Sequence, residues 1–174
     1  ARLTSNAPVG RIRRTVRAGR DQMRSTLLSW LPDDLSGLRL LDAGSGTGAL
    51  AMEAAQRGAD VVANDLSPTL VIVAMDSLIH YDTPDIVAAL QRLAPRARRS
   101  IAFTFAPRTP LLAAMHRVGR LFPRGDRSPS LTPVAQGALR AQLGPVLASH
   151  GFASGRERRV ASGFYTSHAW EWSR

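Results

Sequence analysis

Apolar positions first become regular between Val9 and Leu31. Ile12, Val16, Met23 and Leu27 recur at helical spacing, with Arg13, Arg17, Arg20 and Arg24 on a neighbouring stripe. The spacing predicts an amphipathic basic helix, ended by Pro32 and the polar Asp33–Asp34 turn. It reads either as a core-packing helix with a solvated Arg face or as a lid or membrane-surface contact. Next, Leu38 to Gly44 is a short apolar run closing on Asp42 and a glycine. Thr47 to Arg57 places Leu50, Ala51, Ala54 and Ala55 on one helix face, stopped by Gly58, and Asp60 to Asn64 is a second short run ending at Asp65. Strand, glycine turn, helix and strand within about 30 residues have the size of a βαβ unit.

Further on, Ile72 to Met75 reads as a buried strand leading into Asp76-Ser77-Leu78-Ile79-His80-Tyr81. Pro84 opens a helix from Asp85 to Leu93, stopped at Pro95. Ser100 to Ala106 is a strand with Ile101, Phe103 and Phe105 alternating, and Leu111 to Phe122 is apolar enough for a helix. A Pro/Arg/Ser-rich loop follows to Pro133, then a helix from Val134 to Ser149. Arg156–Ala161 and Phe164–Trp172 predict an antiparallel pair turning at Ser162–Gly163.

Composition narrows the partners. The 174 residues suit one domain, and 44% hydrophobic with 21% charged residues is a globular balance. Apolar runs such as Leu70 to Met75 fall far short of a membrane span, and no secretory leader is expected from the first residues. The absence of cysteine removes disulfides and thiolate metal sites and fits a cytoplasmic chain. The formal charge is +10, and every one of the 23 basic residues is Arg. Guanidinium groups fork onto carboxylate or phosphate, so nucleic acid, an anionic membrane or an anionic small molecule all suit such a surface.

The candidate chemistry lies in Asp42-Ala43-Gly44-Ser45-Gly46-Thr47-Gly48. Three glycines at alternate positions between strand and helix let backbone adopt positive φ and let a ligand approach without a Cβ in the way. The spacing differs from the dinucleotide fingerprint and lacks the Lys of a phosphate loop, which argues against an NTP site. Asp42 ends the first strand, where its carboxylate can face a cationic or amine-bearing ligand. Asp65 follows the second strand, where an acid can accept both hydroxyls of a ribose. An acid, three alternate glycines and a second strand-end acid resemble the signature of class I S-adenosylmethionine-dependent methyltransferases.

A closer resemblance covers nearly the whole chain. Arg2-Leu3-Thr4, Val16-Arg17-Ala18-Gly19-Arg20, Leu40 to Gly44, Asp65-Leu66-Ser67-Pro68, Asp76 to Tyr81, Phe103 to Pro107 and Gly119 to Pro129 are similar to the magnesium-protoporphyrin IX O-methyltransferase family. That resemblance implies an α/β, Rossmann-like fold with a mostly parallel sheet and a C-terminal antiparallel hairpin. It divides the chain into a basic helix or lid over 1–34 and a methyltransferase domain over 35–174, with a substrate-side insertion at about 107–133. The implied reaction moves a methyl group from S-adenosylmethionine to a propionate of magnesium-protoporphyrin IX in chlorophyll or bacteriochlorophyll synthesis, leaving S-adenosylhomocysteine.

The cofactor set it implies is Asp42, Gly44, Ser45, Gly46, Gly48, Asp65, Leu66, Asp76 and Ser77. His80 is the nominated acceptor-orienting residue or base, with Tyr81 second. Arg120, Phe122, Arg124 and Arg127 are nominated to hold the porphyrin and its non-reacting propionate. No protein-bound metal is expected, since the magnesium belongs to the substrate. Candidate partners are a magnesium chelatase subunit and a peripheral membrane contact, on the photosynthetic or inner membrane; nucleic acid is not expected. Alternatives are methylation of another small molecule or RNA, or a porphyrin carrier with an incomplete cofactor site.

Three departures from the family matter. Ser45 stands where the family has Cys, which backbone binding tolerates. The family carries a further N-terminal segment with a Tyr. Most seriously, only Leu66 to Val71 separate Asp65 from the run assigned to the fourth strand, although a parallel crossover needs a dozen or more residues. A helix, the third strand and a second helix are missing at Val71/Ile72, either omitted from the sequence or deleted. Bonded Cα atoms would lie about 3.8 Å apart.

Overall fold

A computed structural model describes residues 8–44, 46–62, 69–109 and 131–174. Helix α1 (Pro8–Leu28) buries Met23, Leu27 and Leu28 near its C-terminal end, while Ile12 at the other end stays exposed. The amphipathic pattern is therefore used for packing from Val16 to the C-terminal end of the helix. The chain continues through β1 (Arg39–Asp42), α2 (Ala49–Gln56), β2 (Asp60–Val62) and β3 (Thr69–Ala74). After a 3₁₀ turn at Leu78–His80 come α3 (Thr83–Leu93), β4 (Ala97–Phe105), α4 (Gln136–Ser149), β5 (Ala153–Ser162) and β6 (Tyr165–Ser173). Asp82 caps α3 by accepting the Asp85 amide at 3.0 Å, one residue before the position read from Pro84. The expected helix over 111–122 lies outside the described residues.

The six strands form one sheet in the order β2-β1-β3-β4-β6-β5. The first four are parallel, and β6 and β5 close it as an antiparallel hairpin. Alternation distributes the core. Ile72 and Ala74 face α3 and α4 with Phe103, Trp170 and Leu143, whereas Val71 and Val73 face α1 and α2 with Met23, Leu50 and Ala54.

One expectation needs correction. The strand read as starting at Ile72 starts at Thr69, because backbone pairing reaches Ala97 of β4. Val71 and Ile72 pair with Leu40 and Leu41 in unbroken register within β3. The topology nevertheless matches the reading of β3 as the fold's fourth strand, since β2 and β3 flank β1 on opposite sides. Residues 63–68, which connect β2 to β3, lie outside the described residues. Because the chain leaves β1 toward one side and returns on the other, a crevice opens beyond the carboxyl ends of β1 and β3, where ligands bind in open α/β sheets.

Candidate active site

At the end of β1, the Ala43 amide donates to the Val73 carbonyl at 2.7 Å, tying the glycine turn to β3. Gly44 (φ +93°), Gly46 (φ +52°) and Gly48 (φ +74°) all hold left-handed backbone. At Gly44 a Cβ would stand 2.4 Å from Ser77 Cβ, so this glycine lets two turns pack together. At Gly48, the first residue before α2, the corresponding space is open. The two positions differ: close packing requires the missing Cβ at Gly44, whereas at Gly48 only the backbone conformation favours glycine.

Asp42 is 2% exposed, and its Oδ2 has no hydrogen-bond partner among the described residues. Burial raises its carboxyl pKa, opposed by the backbone amide of Ala51 in α2. It lies on a cavity of about 780 Å³ together with Gly44, Thr47, Leu50 and Met75. The opposite wall is α1, through Val16, Arg17 and Arg20.

A second cavity, of about 250 Å³, shares Val16 and Arg20 with the first. It is lined by Asp76, His80, Phe164, Tyr165 and Ser167 among others. Between the two spaces sits a polar knot. Arg20 Nε pairs with Asp76 Oδ2 at 3.1 Å, Tyr165 Oη donates to Asp76 Oδ1 at 2.9 Å, and the Asp76 amide donates to Thr104 Oγ1 at 2.8 Å. These contacts hold Asp76 at φ +53°, the one left-handed non-glycine among the described residues. Burial and then the Asp76 charge drive the Tyr165 phenol far above its ordinary pKa. The Ser167 hydroxyl lies near enough to ease that rise without hydrogen-bond geometry.

Of the residues expected from sequence, Asp42 and Gly44 line the large cavity, and Asp76 and His80 line the small one. Ser77 sits beneath Gly44 with its Oγ buried and unpartnered among the described residues. Tyr81 is 45% exposed and is not part of either lining. Ser45, Asp65, Leu66, Arg120, Phe122, Arg124 and Arg127 lie outside the described residues. The Arg stripe of α1 is not simply solvated: Arg20 pairs with Asp76, and Arg24 with Asp21 and Glu53.

Sequence reasoning missed Tyr165, Ser167 and Phe164, which the hairpin brings to the site from 84 to 87 residues downstream of His80. The only local signal was Gly19, where a Cβ would stand 2.4 Å from the Tyr165 ring. Among the described residues no cluster of three metal-ligating side chains occurs, and no helix is long and apolar enough to cross a membrane.

Comparisons with known proteins agree with this geometry. Residues 74–174 match the family model described as the magnesium-protoporphyrin IX methyltransferase C-terminus, and residues 10–91 match one described as conserved hypothetical protein 95. The chain is 42% identical to the magnesium-protoporphyrin O-methyltransferase of Rhodobacter capsulatus, over 99% of this chain and 88% of the relative. That alignment spans 205 positions, more than the chain's own length, so the relative has residues within the matched span that lack counterparts here. Identity to the Synechocystis sp. protein of the same name is 28%, over 98% of this chain and 87% of the relative. The crystal structure of the Synechocystis magnesium protoporphyrin IX methyltransferase with bound SAH superposes with a TM-score of 0.73 at 25% identity, covering 94% of this chain and 87% of that one.

Proposed function

Because the chain belongs to the magnesium-protoporphyrin O-methyltransferase family, we propose that it transfers a methyl group from S-adenosylmethionine to a propionate carboxylate of magnesium-protoporphyrin IX. The observation that carries this reading is Asp42. A buried carboxylate oxygen without a partner, on a cavity beside bare glycine backbone, is a ready acceptor for an amine-bearing cation. The residues present fit such a cofactor: Asp42 and the backbone at Gly44, on the larger cavity, would hold it, with Gly46 and Gly48 in the same turn. S-adenosylmethionine supplies an electrophilic methyl group carried on a sulfonium.

The chain's own contribution is placement. A propionate is ionised near neutral pH, so holding it in line with the donor is the main requirement, and orientation alone can lower a barrier by ~7–11 kcal/mol. In our reading the smaller cavity receives the acceptor, with His80 orienting it or taking its proton, and the Arg20–Asp76 pair dividing acceptor from donor. Asp76 and Ser77 fix the shape of that divide. By family resemblance, Ser45, Asp65 and Leu66 are assigned to the cofactor and Arg120, Phe122, Arg124 and Arg127 to the acceptor. Tyr81 is the weaker candidate for acceptor chemistry because of its exposure.

Arg13 and Arg17 are exposed and have no carboxylate partner among the described residues. We assign them to an anionic bilayer surface, from which a poorly soluble porphyrin can be collected, and a magnesium chelatase subunit is the other candidate donor. Sedimentation with phosphatidylglycerol vesicles tests the first.

The function is tested by incubating the protein with magnesium-protoporphyrin IX and methyl-labelled S-adenosylmethionine. Label should enter a porphyrin monomethyl ester separable by chromatography. Label in bulk RNA, or in neither acceptor, would sink the reading.

A further inference from the structure

Ser167 sits on the side of β6 that packs under α1, between Tyr165 and Ala169 in the alternating pattern. It is 1% exposed, and its Oγ has no hydrogen-bond partner among the described residues. It also lines the smaller cavity with His80. A buried hydroxyl without a protein partner is destabilising, and Ala169 shows that an apolar side chain packs on the same face. Apart from its closeness to the Tyr165 phenol, which falls short of hydrogen-bond geometry, packing gives no reason for the hydroxyl, whereas a ligand that accepts its hydrogen does.

The chemistry of the cavity identifies that ligand. Asp76 is already compensated by Arg20, so the space presents no uncompensated negative charge to an incoming anion. Arg20 donates to Asp76 through Nε and carries further guanidinium donors. A volume of about 250 Å³ is below that of a drug-sized pocket and far below a tetrapyrrole, so one carboxylate arm enters while the ring stays outside. At the mouth stands Phe164, 49% exposed on the β5–β6 turn, where it can cover an aromatic face. The turn itself is set against α1: a Cβ on Gly163 would stand 2.7 Å from Thr15 Cβ.

We propose that Ser167 donates its hydroxyl hydrogen to the carboxylate of the reacting propionate and so positions it beside His80, with the macrocycle resting on Phe164. This rests on the functional reading above and adds a residue to it. No bond is made or broken at Ser167; it is a positioning residue.

The test compares magnesium-protoporphyrin IX with its dimethyl ester, in which both carboxylates are masked. By Soret-band titration the wild-type protein should bind the free acid about tenfold more tightly than the diester. Ser167→Ala should raise the KM for the free acid about tenfold, leave the KM for S-adenosylmethionine within about twofold, and not change diester binding. Its melting temperature should not fall, because an unpartnered hydroxyl is removed. Equal wild-type affinity for acid and diester, or a Ser167→Ala enzyme with wild-type kinetics, overturns the assignment while leaving the methyltransferase reading intact. A wild-type protein that does not methylate the porphyrin at all overturns both.

Discussion

The Thr132 hydroxyl donates to the carbonyl oxygen of His80 at 3.0 Å, and the Thr132 amide donates to the Ile79 carbonyl at 2.9 Å. Two residues later, Val134 forms a parallel bridge with Pro107, so the chain leaving β4 and the chain returning at 131–134 meet just beyond the carboxyl end of β4. The returning end is thus fastened to the turn that carries His80. Thr132→Val keeps the shape and the amide bond but loses the hydroxyl bond, a loss of about 1 kcal/mol. We expect kcat for porphyrin methylation to fall about fivefold with unchanged affinity for S-adenosylmethionine. Steady-state kinetics with each substrate varied in turn checks this, and an unchanged kcat would disconnect the insertion from His80.

Asp42 sets stability against function. Its raised carboxyl pKa means that the folded state holds a proton more readily than the unfolded chain. Sign follows: above the raised pKa the buried charge weighs against folding, and this penalty is relieved as pH falls toward the unfolded value near 3.8. Asp42→Asn should therefore melt at a higher temperature than the wild type at neutral pH. Binding of S-adenosylmethionine, measured by calorimetry, should weaken by about tenfold or more, the order expected when a charge-assisted bond is lost. A variant that melts lower and binds normally would remove Asp42 from the site.

Much of this arrangement was legible in the sequence because it is local. The glycine turn, the acid before it and the helix after it lie within one βαβ unit, where strand period, glycine spacing and helix period signal independently. The β5–β6 hairpin was equally clear from alternation around Ser162–Gly163. What the sequence could not show is which distant side chains meet. Tyr165 and Ser167 look like ordinary strand residues, and only the β4–β6 pairing brings them opposite the end of β3. The Arg20–Asp76 pair joins residues 56 positions apart. A stripe of arginines on a helix carries no mark of which one will find a buried acid.

The glycine turn itself separates steric from conformational cost. Gly44→Ala meets Ser77 Cβ at 2.4 Å and also forces Ala to φ +93°, whereas Gly48→Ala meets only the φ cost at +74°. Left-handed strain costs about 1–3 kcal/mol. Gly44→Ala should therefore be the less stable variant in urea unfolding, and adding Ser77→Gly should recover part of the difference but not all of it. Equal midpoints for the two single variants would mean that the turns move apart freely.

His168 provides a pH-linked prediction away from the site. Its Nε2 faces Glu157 Oε2 at 3.2 Å, and its ring lies 5.0 Å from that of Phe105. Glu157 also accepts from Gln136 Nε2 at 2.6 Å and from Arg140. Burial depresses the His168 pKa below its ordinary value near 6.5; Glu157 opposes this, while Arg159 and Arg140 add to it. As pH falls through 6.5 the unfolded chain therefore takes up a proton before the folded protein does. The stabilising contribution is full above pH 6.5 and is lost as pH drops toward the depressed folded value. Urea unfolding at pH 7.5 and at a pH of about 5.5 should show a lower midpoint in acid, and His168→Gln, which retains a donor toward Glu157, should shrink that difference. If the acid loss is the same size in the variant, the proton is taken up elsewhere, and the neutral, buried state assigned to His168 is wrong.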